Sequence, residues 1–469
     1  MFCGLVAAMA LGACSGSGEA LSTGGNPNLR LALTPAAAAV FIGERTSLTP
    51  VFDGDRASID GIGRVQSGMA VETPPLSRAT TFTLRVDRGA EQVQARTTVQ
   101  ASYRNRIRVL GSAPFAQTDH VAAALPDGRA MAMGGRTSES PLVPDSTLTQ
   151  NFDPATEELA RGPDLLFSAA ARLFTSVAPL LSGGFLLAGS GLNAPVGALR
   201  SVVTQLFDPA TPGLTPVGDV ATRGISNRTA TPLSDGGALL TGGLTGATNP
   251  VTDSADRYVS ADEKWHAAGQ MLNVRVGHTA TLLRDGRVLI AGGLSCCQVP
   301  NPSPEFYASS AELYDPATDA FAQTGPMSSA RGNHAAALLP DGRVLISGGD
   351  GNDPAAPPLG TEIFDPASGQ FSSAGDLQAP RDSHSEVTLT DGRVLVIGGE
   401  VPPELVGRVG VGVSVTEIFD PASGRWSAGP ALNPAFYAAT VTMLGNGKVL
   451  VFGGEDAGGS PQAAAALFE

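Results

Sequence analysis

Four of the five histidines in this chain occupy the same position of a repeated sequence pattern. Each lies fourteen residues before the first glycine of a Gly-Gly pair, and in four repeats an arginine stands three residues ahead of that position. The histidines are His120, His278, His334 and His384, and the arginines are Arg172, Arg275, Arg331 and Arg381. A ring of imidazoles can bind a transition metal, whereas a ring of guanidinium groups can clamp carboxylates. Either chemistry depends on the elements that bring the repeats together.

The repeated pattern is a pair of apolar runs that occurs seven times. Its clearest copies read LPDGRVLISGG, LRDGRVLIAGG and LTDGRVLVIGG, and a weaker copy reads LLSGGFLLAGS. Successive copies are 50 to 56 residues apart. An Asp-Gly pair between two apolar runs predicts a two-residue hairpin turn with positive φ at both central residues. A second element, DPAT or DPAS, keeps the same phase and predicts the turn into an outer strand.

Four short strands in about 50 residues are typical of one propeller blade. The repeats resemble kelch repeats, especially the galactose-oxidase-like version with the pattern xxHxxxLLxDGRVLxxGG, over about residues 106–469. We therefore predict an all-β fold, a seven-bladed β-propeller of kelch type preceded by a small immunoglobulin-like β-sandwich. The last repeat stops before its outer strand, and residues 107–110 (IRVL) have the place of one. This N-terminal strand is expected to complete the seventh blade and to close the ring.

The resemblance implies that the arginines and histidines surround one mouth of the central channel. The loops that follow each Gly-Gly pair share that face, and such loops often carry function on a regular scaffold. We predict this face as the binding site, with Arg275, Arg331 and Arg381 as its anchors. Its predicted residues are Arg172, Arg275, Arg331, Arg381, His278, His334 and His384. The alternative is structural, because repeats of this family carry Arg and His at this phase to bond neighbouring backbone between blades.

The galactose-oxidase resemblance also implies a copper-radical site as an alternative. Such a site needs a tyrosine crosslinked to a cysteine, a second tyrosine and two histidines. The tyrosines available are Tyr103, Tyr258, Tyr307, Tyr314 and Tyr437. Tyr307 shares a long loop with Cys296 and Cys297, near His278 and His334 in the repeat, but no matching motif anchors a Cys–Tyr307 pair. We therefore predict no metal and no cofactor, and the sequence contains no phosphate-binding loop, nucleophile elbow or HExxH motif.

Two smaller features of the sequence each allow more than one interpretation. Asp350-Gly351-Asn352-Asp353 is rich in oxygen ligands for Ca²⁺, but it lacks the spacing of a calcium loop and is interpreted as a solvated turn. Cys296 and Cys297 are adjacent and can form a vicinal disulfide in an oxidising compartment, or they are simply two small loop residues.

The first 28 residues have the features of an export signal and a tether. Residues 1–13 (MFCGLVAAMALGA) are apolar and too short to span a bilayer as a helix. They have the length of a signal-peptide hydrophobic region. The run ends in Leu11-Gly12-Ala13-Cys14, which resembles the lipobox of bacterial lipoproteins and implies lipidation at Cys14. Residues 14–28 have the composition of a flexible linker. Residues 29–103 alternate with period two and resemble bacterial immunoglobulin-like modules, which mostly act as spacers.

Composition limits the classes of function. Charged residues are 16% and aromatic residues 5% of the chain, which excludes long solvated helices and coiled coils. The formal net charge of −14 argues against nucleic acid as a partner. We predict a monomeric, non-enzymatic protein, lipid-anchored in the bacterial cell envelope, that recognises an unknown protein or glycan. The alternatives are a copper-radical oxidase of the galactose- or glyoxal-oxidase type and a structural envelope protein.

Overall fold

The computed structural model consists of β-strands joined by turns and loops. It describes residues 30–137, 148–163, 172–191, 202–209, 214–217, 227–245, 251–295, 307–353, 357–401, 411–433, 435, 438–456 and 460–469. The chain divides into two units, residues 1–104 and residues 105–469. In these described ranges, no helix has the length and apolar character that crossing a membrane requires.

The described part of the first unit, residues 30–104, contains two sheets that share one core. Its strands are β1 (Leu31–Pro35), β2 (Ala39–Phe41), β3 (Ser47–Phe52), β4 (Arg56–Ile59), β5 (Gly63–Arg64), β6 (Val71–Glu72), β7 (Thr80–Arg88) and β8 (Glu91–Ser102). One sheet has the order β1-β3-β6 and the other the order β2-β8-β7-β4-β5. Alternate residues of β7, namely Phe82, Leu84 and Val86, are buried against residues of both sheets. The period-two pattern in the sequence therefore marks the inner face of a β-sandwich.

The second unit begins with a short strand and continues with the first three repeats. The strands are β9 (Ile107–Val109), β10 (Gln117–Thr118), β11 (Val121–Ala124), β12 (Ala130–Met133), β13 (Arg136–Thr137), β14 (Thr149–Asp153), β15 (Glu158–Arg161), β16 (Arg172–Pro179), β17 (Phe185–Gly191), β18 (Val202–Phe207), β19 (Leu214–Pro216), β20 (Thr229–Pro232), β21 (Ala238–Thr241), β22 (Ser254–Val259) and β23 (Lys264–Gln270).

The remaining four repeats follow in the same way. Their strands are β24 (Thr279–Leu282), β25 (Val288–Ala291), β26 (Ala311–Asp315), β27 (Ala320–Gln323), β28 (Ala335–Leu338), β29 (Val344–Ser347), β30 (Gly360–Asp365), β31 (Gln370–Asp376), β32 (Ser385–Thr388), β33 (Val394–Ile397), β34 (Glu400–Val401), β35 (Val411–Gly412), β36 (Glu417–Asp420), β37 (Arg425–Ala428), β38 (Thr440–Met443), β39 (Val449–Phe452) and β40 (Ala465–Phe468).

The repeats form seven four-stranded antiparallel sheets, which are the blades of a propeller. Blades 1 to 7 have the orders β11-β12-β14-β15, β16-β17-β18-β19, β20-β21-β22-β23, β24-β25-β26-β27, β28-β29-β30-β31, β32-β33-β36-β37 and β38-β39-β40-β9. The first strands of successive blades are neighbours, and that of blade 7 also neighbours that of blade 1. The predicted all-β fold class, a seven-bladed propeller preceded by a β-sandwich, is confirmed.

Closure of the propeller depends on the strand that precedes the first repeat. Strand β9 pairs with β40, with Ile107 opposite Phe468 and Val109 opposite Ala466. Next to this pairing, Arg106 donates hydrogen bonds to the carboxylate of Glu469. Burial alone raises the pKa of Glu469, but the hydrogen bonds from Lys448 and Arg106 outweigh it and lower the pKa to about 2. The prediction that the N-terminal strand completes the seventh blade is confirmed.

The Asp-Gly turn differs from its prediction in one detail. In blade 5 Gly342 has a φ of 92°, but Asp341 does not have a positive φ. The Asp341 carboxylate instead accepts a hydrogen bond of 3.0 Å from the backbone N–H of Arg343. The turn is therefore a longer hairpin loop with one left-handed glycine, because the aspartate side chain satisfies the backbone within the turn.

The hydrophobic core lies between neighbouring blades and within the outer strand pairs. One cluster, for example, joins Leu289 of blade 4 to Ile346 and Phe364 of blade 5. At the outer edge of blades 3 to 6, an aromatic ring of the third strand packs against one of the last strand, as in Phe364 with Phe371, whose ring centroids are 5.0 Å apart. In blades 1 and 2 the residue of the last strand is Leu159 or Leu214. These contacts explain why the second sequence element repeats in step with the first.

Candidate functional site

The predicted anchor arginines lie in the interior of the blades. Arg275, Arg331 and Arg381 each have 0% of their surface exposed. Arg275 Nε donates to Glu312 Oε1 at 2.9 Å, and its Nη1 donates to the carbonyl oxygens of Gly292 and Ser310 at 2.6 and 3.0 Å. The guanidinium group of Arg275 thus binds a carboxylate, but the carboxylate belongs to the protein itself.

The same arrangement recurs in the next two blades. The equivalent ion pairs are Arg331–Glu362 at 3.1 Å and Arg381–Glu417 at 2.8 Å. Each glutamate belongs to the third strand of the arginine's own blade, and its other oxygen accepts a backbone N–H, as Glu312 does from Leu272 at 2.7 Å. The prediction that these arginines present donors to a ligand is wrong, because their partners are supplied by the blade itself.

The histidines also serve the scaffold. In the four histidines that share the repeat position, Nε2 is hydrogen-bonded to a hydroxyl group of the preceding blade, at 2.7 to 2.9 Å. The pairs are His120–Thr440, His278–Thr241, His334–Thr279 and His384–Ser347. Burial lowers the pKa of His120 and of His278 to about 3, so both imidazoles are neutral at physiological pH. The predicted binding residues His278, His334 and His384 therefore lie between blades and not on a ligand surface.

This packing explains the first glycine of each Gly-Gly pair. A Cβ atom on Gly348 would lie 2.6 Å from His384 Cε1 and 2.5 Å from the carbonyl oxygen of Arg381. Gly348 also has a φ of 59°. The histidine of one blade thus packs against the first glycine of the preceding blade, which is why both residue types recur at fixed positions of the repeat.

A cavity of about 550 Å³ opens where blades 3, 4 and 5 meet. Its lining residues are Asn227, Arg228, Thr229, Leu244, Val251, Val276, Gly277, Leu294, Tyr307 and Asn333. Most of them come from the segments that precede the first strand of a blade or follow its Gly-Gly pair. The location of the cavity thus agrees with the loop face that the sequence indicated, although its residues differ from the predicted ones.

Two kinds of residue line the cavity. Leu244 and Leu294, directly after the Gly-Gly pairs of blades 3 and 4, form isolated bridges with Val251 and Val276, and these four residues are called the apolar wall. The amides of Asn227 and Asn333 and the phenol of Tyr307 are called the polar wall, and Tyr307 also forms a bridge with Leu294. A ligand with an apolar body and a hydroxyl group matches this division.

The polar wall is held by residues that line it and by others directly behind it. Tyr307 donates its hydroxyl to Asp350 Oδ2 at 3.3 Å, and Asn333 Nδ2 donates to the same oxygen at 2.9 Å. Asn352 Oδ1 accepts the backbone N–H of Tyr307 at 2.8 Å, and the Tyr307 ring lies against Gly332, where a Cβ would be 2.6 Å from Cδ1. The oxygen-rich turn at 350–353 therefore positions a tyrosine.

Sequence reasoning missed the asparagines of this wall. Asn227 and Asn333 have φ values of 53° and 52°, and the same left-handed conformation occurs one residue before the histidine position in other blades. The left-handed residues at this phase are Asp119, Asn227, Gly277, Asn333, Ser383 and Ala438. Backbone hydrogen bonds link them around the mouth, from Asn333 N–H to Gly277 O and from Ser383 N–H to Asn333 O. Asn, Asp and Gly favour this conformation, and their recurrence was the available signal.

A second acidic residue, Asp382, lies behind the same wall. The residue is 5% exposed, and its backbone N–H donates to the carbonyl oxygen of Glu400 at 3.1 Å. Burial, the neighbouring Asp350 charge and Glu400 raise the pKa of Asp382 to about 7.

Several predicted residues cannot be placed in this way. Cys14, Cys296, Cys297 and Tyr437 lie outside the described residues, as does the side chain of Arg172, although strand β16 begins at that residue. Within the described part of the chain, no three His, Cys, Asp or Glu side chains come together in a group that can hold a metal ion.

The described residues also do not fit a copper-radical centre. Tyr307 lines the cavity, but His278 and His334, its expected partners, are buried between blades with Nε2 bonded to threonines. Tyr258 and Tyr314 belong to the core, at 2% and 0% exposure. No reaction step is therefore derived through copper.

A comparison with solved structures gives a clear likeness in fold. One similar structure is a novel fungal alcohol oxidase with catalytic diversity among the AA5 family, in complex with copper. The TM-score is 0.59 over 77% of this chain and 76% of that chain, with 14% sequence identity. No protein-family model and no curated protein sequence matches the chain.

This likeness corrects two predictions. The non-enzymatic role as a protein- or glycan-binding module, and the prediction that the chain is not an enzyme, are contradicted because the propeller shares its fold with a copper alcohol oxidase. The sequence resemblance to the galactose-oxidase-like propeller is supported at the level of the fold.

Proposed function

We propose that the propeller is an oxidoreductase that converts primary alcohols to aldehydes, with the cavity of blades 3, 4 and 5 as its substrate site. The single observation that carries this proposal is the cavity itself, which joins an apolar wall to the phenol of Tyr307 in a fold shared with an alcohol oxidase. In the proposed reaction the alcohol loses two electrons and two protons to dioxygen, and hydrogen peroxide is the second product.

The lining of the cavity supports a particular type of alcohol. Leu244, Val251, Val276 and Leu294 offer apolar surface to an alkyl or aryl group. Asn227, Asn333 and Tyr307 offer hydrogen-bonding groups to the hydroxyl. We expect benzyl alcohol and hexan-1-ol to be better substrates than a hexose, because a sugar would place several hydroxyl groups against the apolar wall.

The structural neighbour was solved in complex with copper, and the described residues of this chain do not supply a ligand set for that metal. The first quantity to measure is therefore the copper content of the purified protein. The test uses the full chain, purified with and without added Cu²⁺, with bound metal determined by elemental analysis. Peroxide and aldehyde are then measured with benzyl alcohol, hexan-1-ol and galactose.

The informative variant is Tyr307→Phe, and its matched control is Tyr258→Phe. Both remove one hydroxyl group, but Tyr258 lies in the core between blades 2 and 3. We expect Tyr307→Phe to lower turnover about tenfold or more, and Tyr258→Phe to leave it within about twofold. If the wild type produces neither peroxide nor aldehyde from any of the three alcohols, with or without copper, the proposal is wrong.

We also propose that the protein is exported and anchored by a lipid on Cys14, with the first unit as an immunoglobulin-like spacer. The apolar leader, the Leu-Gly-Ala-Cys sequence and the tether support export. The two-sheet sandwich of residues 30–104 supports the spacer. In a bacterial host, Cys14→Ala should move the full chain from the membrane fraction to the soluble fraction, and an unchanged distribution would contradict the anchor.

A further inference from the structure

We propose that the outer face of one sheet of the sandwich is a docking surface for the phosphate headgroups of an anionic lipid bilayer. This surface, called the arginine face, consists of Arg56, Arg64, Arg85 and Arg96 on strands β4, β5, β7 and β8. The proposal is independent of the oxidase reaction, and only the nearness of the bilayer rests on the proposed anchor at Cys14.

Strand pairing places the four arginines on the same face of the sheet. Arg85 of β7 lies directly opposite Ser58 of β4, and Ser58 lies opposite Arg64 of β5. Arg56 and Arg96 each lie two residues from the partner of Arg85 on the neighbouring strand, so they share its face because side chains alternate along a strand. The arginine face spans about 15 Å from β8 to β5, since neighbouring strands are about 4.8 Å apart.

Three of these arginines are available to an external anion. Arg56, Arg64 and Arg96 are exposed, and in the described part of the chain none of the three forms an ion pair. A planar guanidinium group with several N–H donors matches the oxygen atoms of a phosphate group and can bind them in a bidentate manner. The arginine face thus offers three unpaired groups of the type that phosphate recognition uses.

Two aspartates lie among the arginines and reduce the charge of the face without cancelling it. Arg85 Nε and Nη2 donate to the two carboxylate oxygens of Asp60, at 3.0 and 2.9 Å. Asp87 Oδ1 accepts a hydrogen bond of 3.1 Å from Gln92 Nε2. Four arginines and two aspartates leave the arginine face with two net positive charges.

The sandwich and the propeller have net charges of opposite sign. Residues 30–104 hold nine arginines and seven acidic residues, a net charge of +2, whereas residues 105–469 hold 21 basic and 36 acidic residues, a net charge of −15. The strands of the other sheet of the sandwich, β1, β3 and β6, contain no basic residue. An anionic surface should therefore attract the sandwich through the arginine face and repel the propeller.

The sequence ahead of the sandwich supports a bilayer as the source of the negative charge. Residues 15–29 separate Cys14 from the first described residue, Arg30, and fifteen residues span at most about 50 Å when fully extended. A lipid on Cys14 limits the distance between Arg30 and the membrane to that length. Basic residues that are held near an anionic leaflet contribute to membrane binding within about one Debye length.

The experiment measures vesicle binding by the full chain carrying Cys14→Ala, so that no lipid is attached to the protein. Vesicles of phosphatidylcholine alone are compared with vesicles that also contain phosphatidylglycerol, and bound protein is separated by flotation. Two net charges, each worth about fivefold near an anionic surface, predict about thirtyfold tighter binding to the anionic vesicles at about 0.15 M NaCl. The preference should disappear at about 1 M NaCl, where the Debye length is about 3 Å.

The informative variant is Arg64→Gln/Arg96→Gln, and its matched control is Arg78→Gln/Arg425→Gln. All four arginines are exposed, but Arg78 precedes β7 and Arg425 lies on β37 of the propeller. Both variants remove two positive charges from the chain. We expect the first to lose most of the thirtyfold preference and the control to keep it within about twofold.

The variant Arg64→Lys/Arg96→Lys separates a loss of charge from a loss of fold, because it should keep most of the preference for anionic vesicles. Equal binding of the wild type to both kinds of vesicle overturns the proposal. An equal loss in the glutamine variant and in its control also overturns it, since net charge and not the arginine face would then determine binding.

The acidic propeller of a second copy is the other source of negative charge, and light scattering at low salt tests it. A dimer that Arg64→Gln/Arg96→Gln abolishes, without any preference for anionic vesicles, assigns the arginine face to that copy and overturns the bilayer as its partner. The vesicle measurement needs neither turnover nor a lipid on Cys14. Its result is therefore distinct from failure of the oxidase or of the anchor.

Discussion

In blades 4 to 6, one set of repeat positions carries the same residue type in every blade, whereas another set varies; these are called the two layers. Inside the blades, Arg275, Arg331 and Arg381 make the same ion pair three times. At the mouth, the position after the Gly-Gly pair is Leu294 in blade 4, Asp350 in blade 5 and Glu400 in blade 6.

The two layers therefore serve different purposes. The repeated positions hold the blades together and are interchangeable from one blade to the next. Among the varied positions, Leu294 lines the cavity, and Asp350 accepts hydrogen bonds from Tyr307 and Asn333 of its lining. In a repeat protein, a residue type that recurs at every blade is thus weak support for a binding site, whereas its departures at the same face are informative.

Removal of one buried arginine should have the largest effect on stability. Arg275→Met leaves Glu312 charged, with 0% side-chain exposure and no guanidinium partner. We expect the free energy of unfolding of the propeller to fall by about 3–5 kcal/mol, measured by urea unfolding followed by tryptophan fluorescence. The double variant Arg275→Met/Glu312→Leu should recover part of the loss. A loss below about 1 kcal/mol for the single variant would show that the ion pair is not a structural element.

The contact between glycine and histidine should give the next largest effect. Gly348→Ala adds a Cβ that meets a backbone carbonyl and His384, at a φ of 59°. We expect a loss of about 2–3 kcal/mol in the free energy of unfolding. The control Gly369→Ala has a similar φ of 68° but open space around the Cβ, so it should cost only about 1 kcal/mol. Equal losses in the two variants would contradict a steric role for the histidine.

The pH dependence of stability should differ between the two layers. Because burial lowers the pKa of His278 to about 3, its unfolded form binds a proton below about pH 6.5 while the folded form does not. The free energy of unfolding is therefore unaffected by this histidine above pH 6.5, and it falls by about 1.4 kcal/mol per pH unit as the pH decreases from 6.5 towards 3. His278→Gln should reduce that slope in urea unfolding measured at several pH values.

Protonation of Asp382 should affect the pH dependence of stability in the opposite direction from that of His278. Its raised pKa of about 7 means that the folded state binds the proton first, so acidification from pH 7 to pH 4 stabilises it. Asp382→Asn should therefore make the acid-side loss of stability steeper than in the wild type. A slope that both variants leave unchanged would show that neither group is buried as the structure describes.

The smallest effect on stability is expected at the cavity wall. Asn227→Gly removes an exposed amide at a φ of 53°, a conformation that glycine adopts without strain. The free energy of unfolding should change by no more than about 0.5 kcal/mol, whereas binding of benzyl alcohol, followed by NMR titration, should weaken severalfold. Glu263→Gly, at a φ of 55° in a distant turn, is the control and should leave binding unchanged.

The candidate site was only partly predictable from the sequence. The binding face stays a prediction, and the cavity lies among the loops after the Gly-Gly pairs, one of which holds Tyr307. Arg275 and His278 were assigned to the wrong surroundings, since a sequence gives the spacing of a polar residue but not the partner that satisfies it. Asn333 was missed because its backbone N–H bonds to Gly277 of the neighbouring blade, and its amide lines a cavity to which three blades contribute.

The sequence by itself determined the propeller. Local hairpins, left-handed glycines and period-two burial are properties of short segments. Seven copies in phase can then remove their exposed sheet edges by closing into a ring, which the pairing of β9 with β40 completes. Tertiary structure alone decided which polar residues are buried as scaffold and which face the cavity. That distinction arises when strands pair and blades pack side by side, because burial and hydrogen-bond partners are set by residues that are distant in the chain, as in Arg275–Glu312 and His334–Thr279.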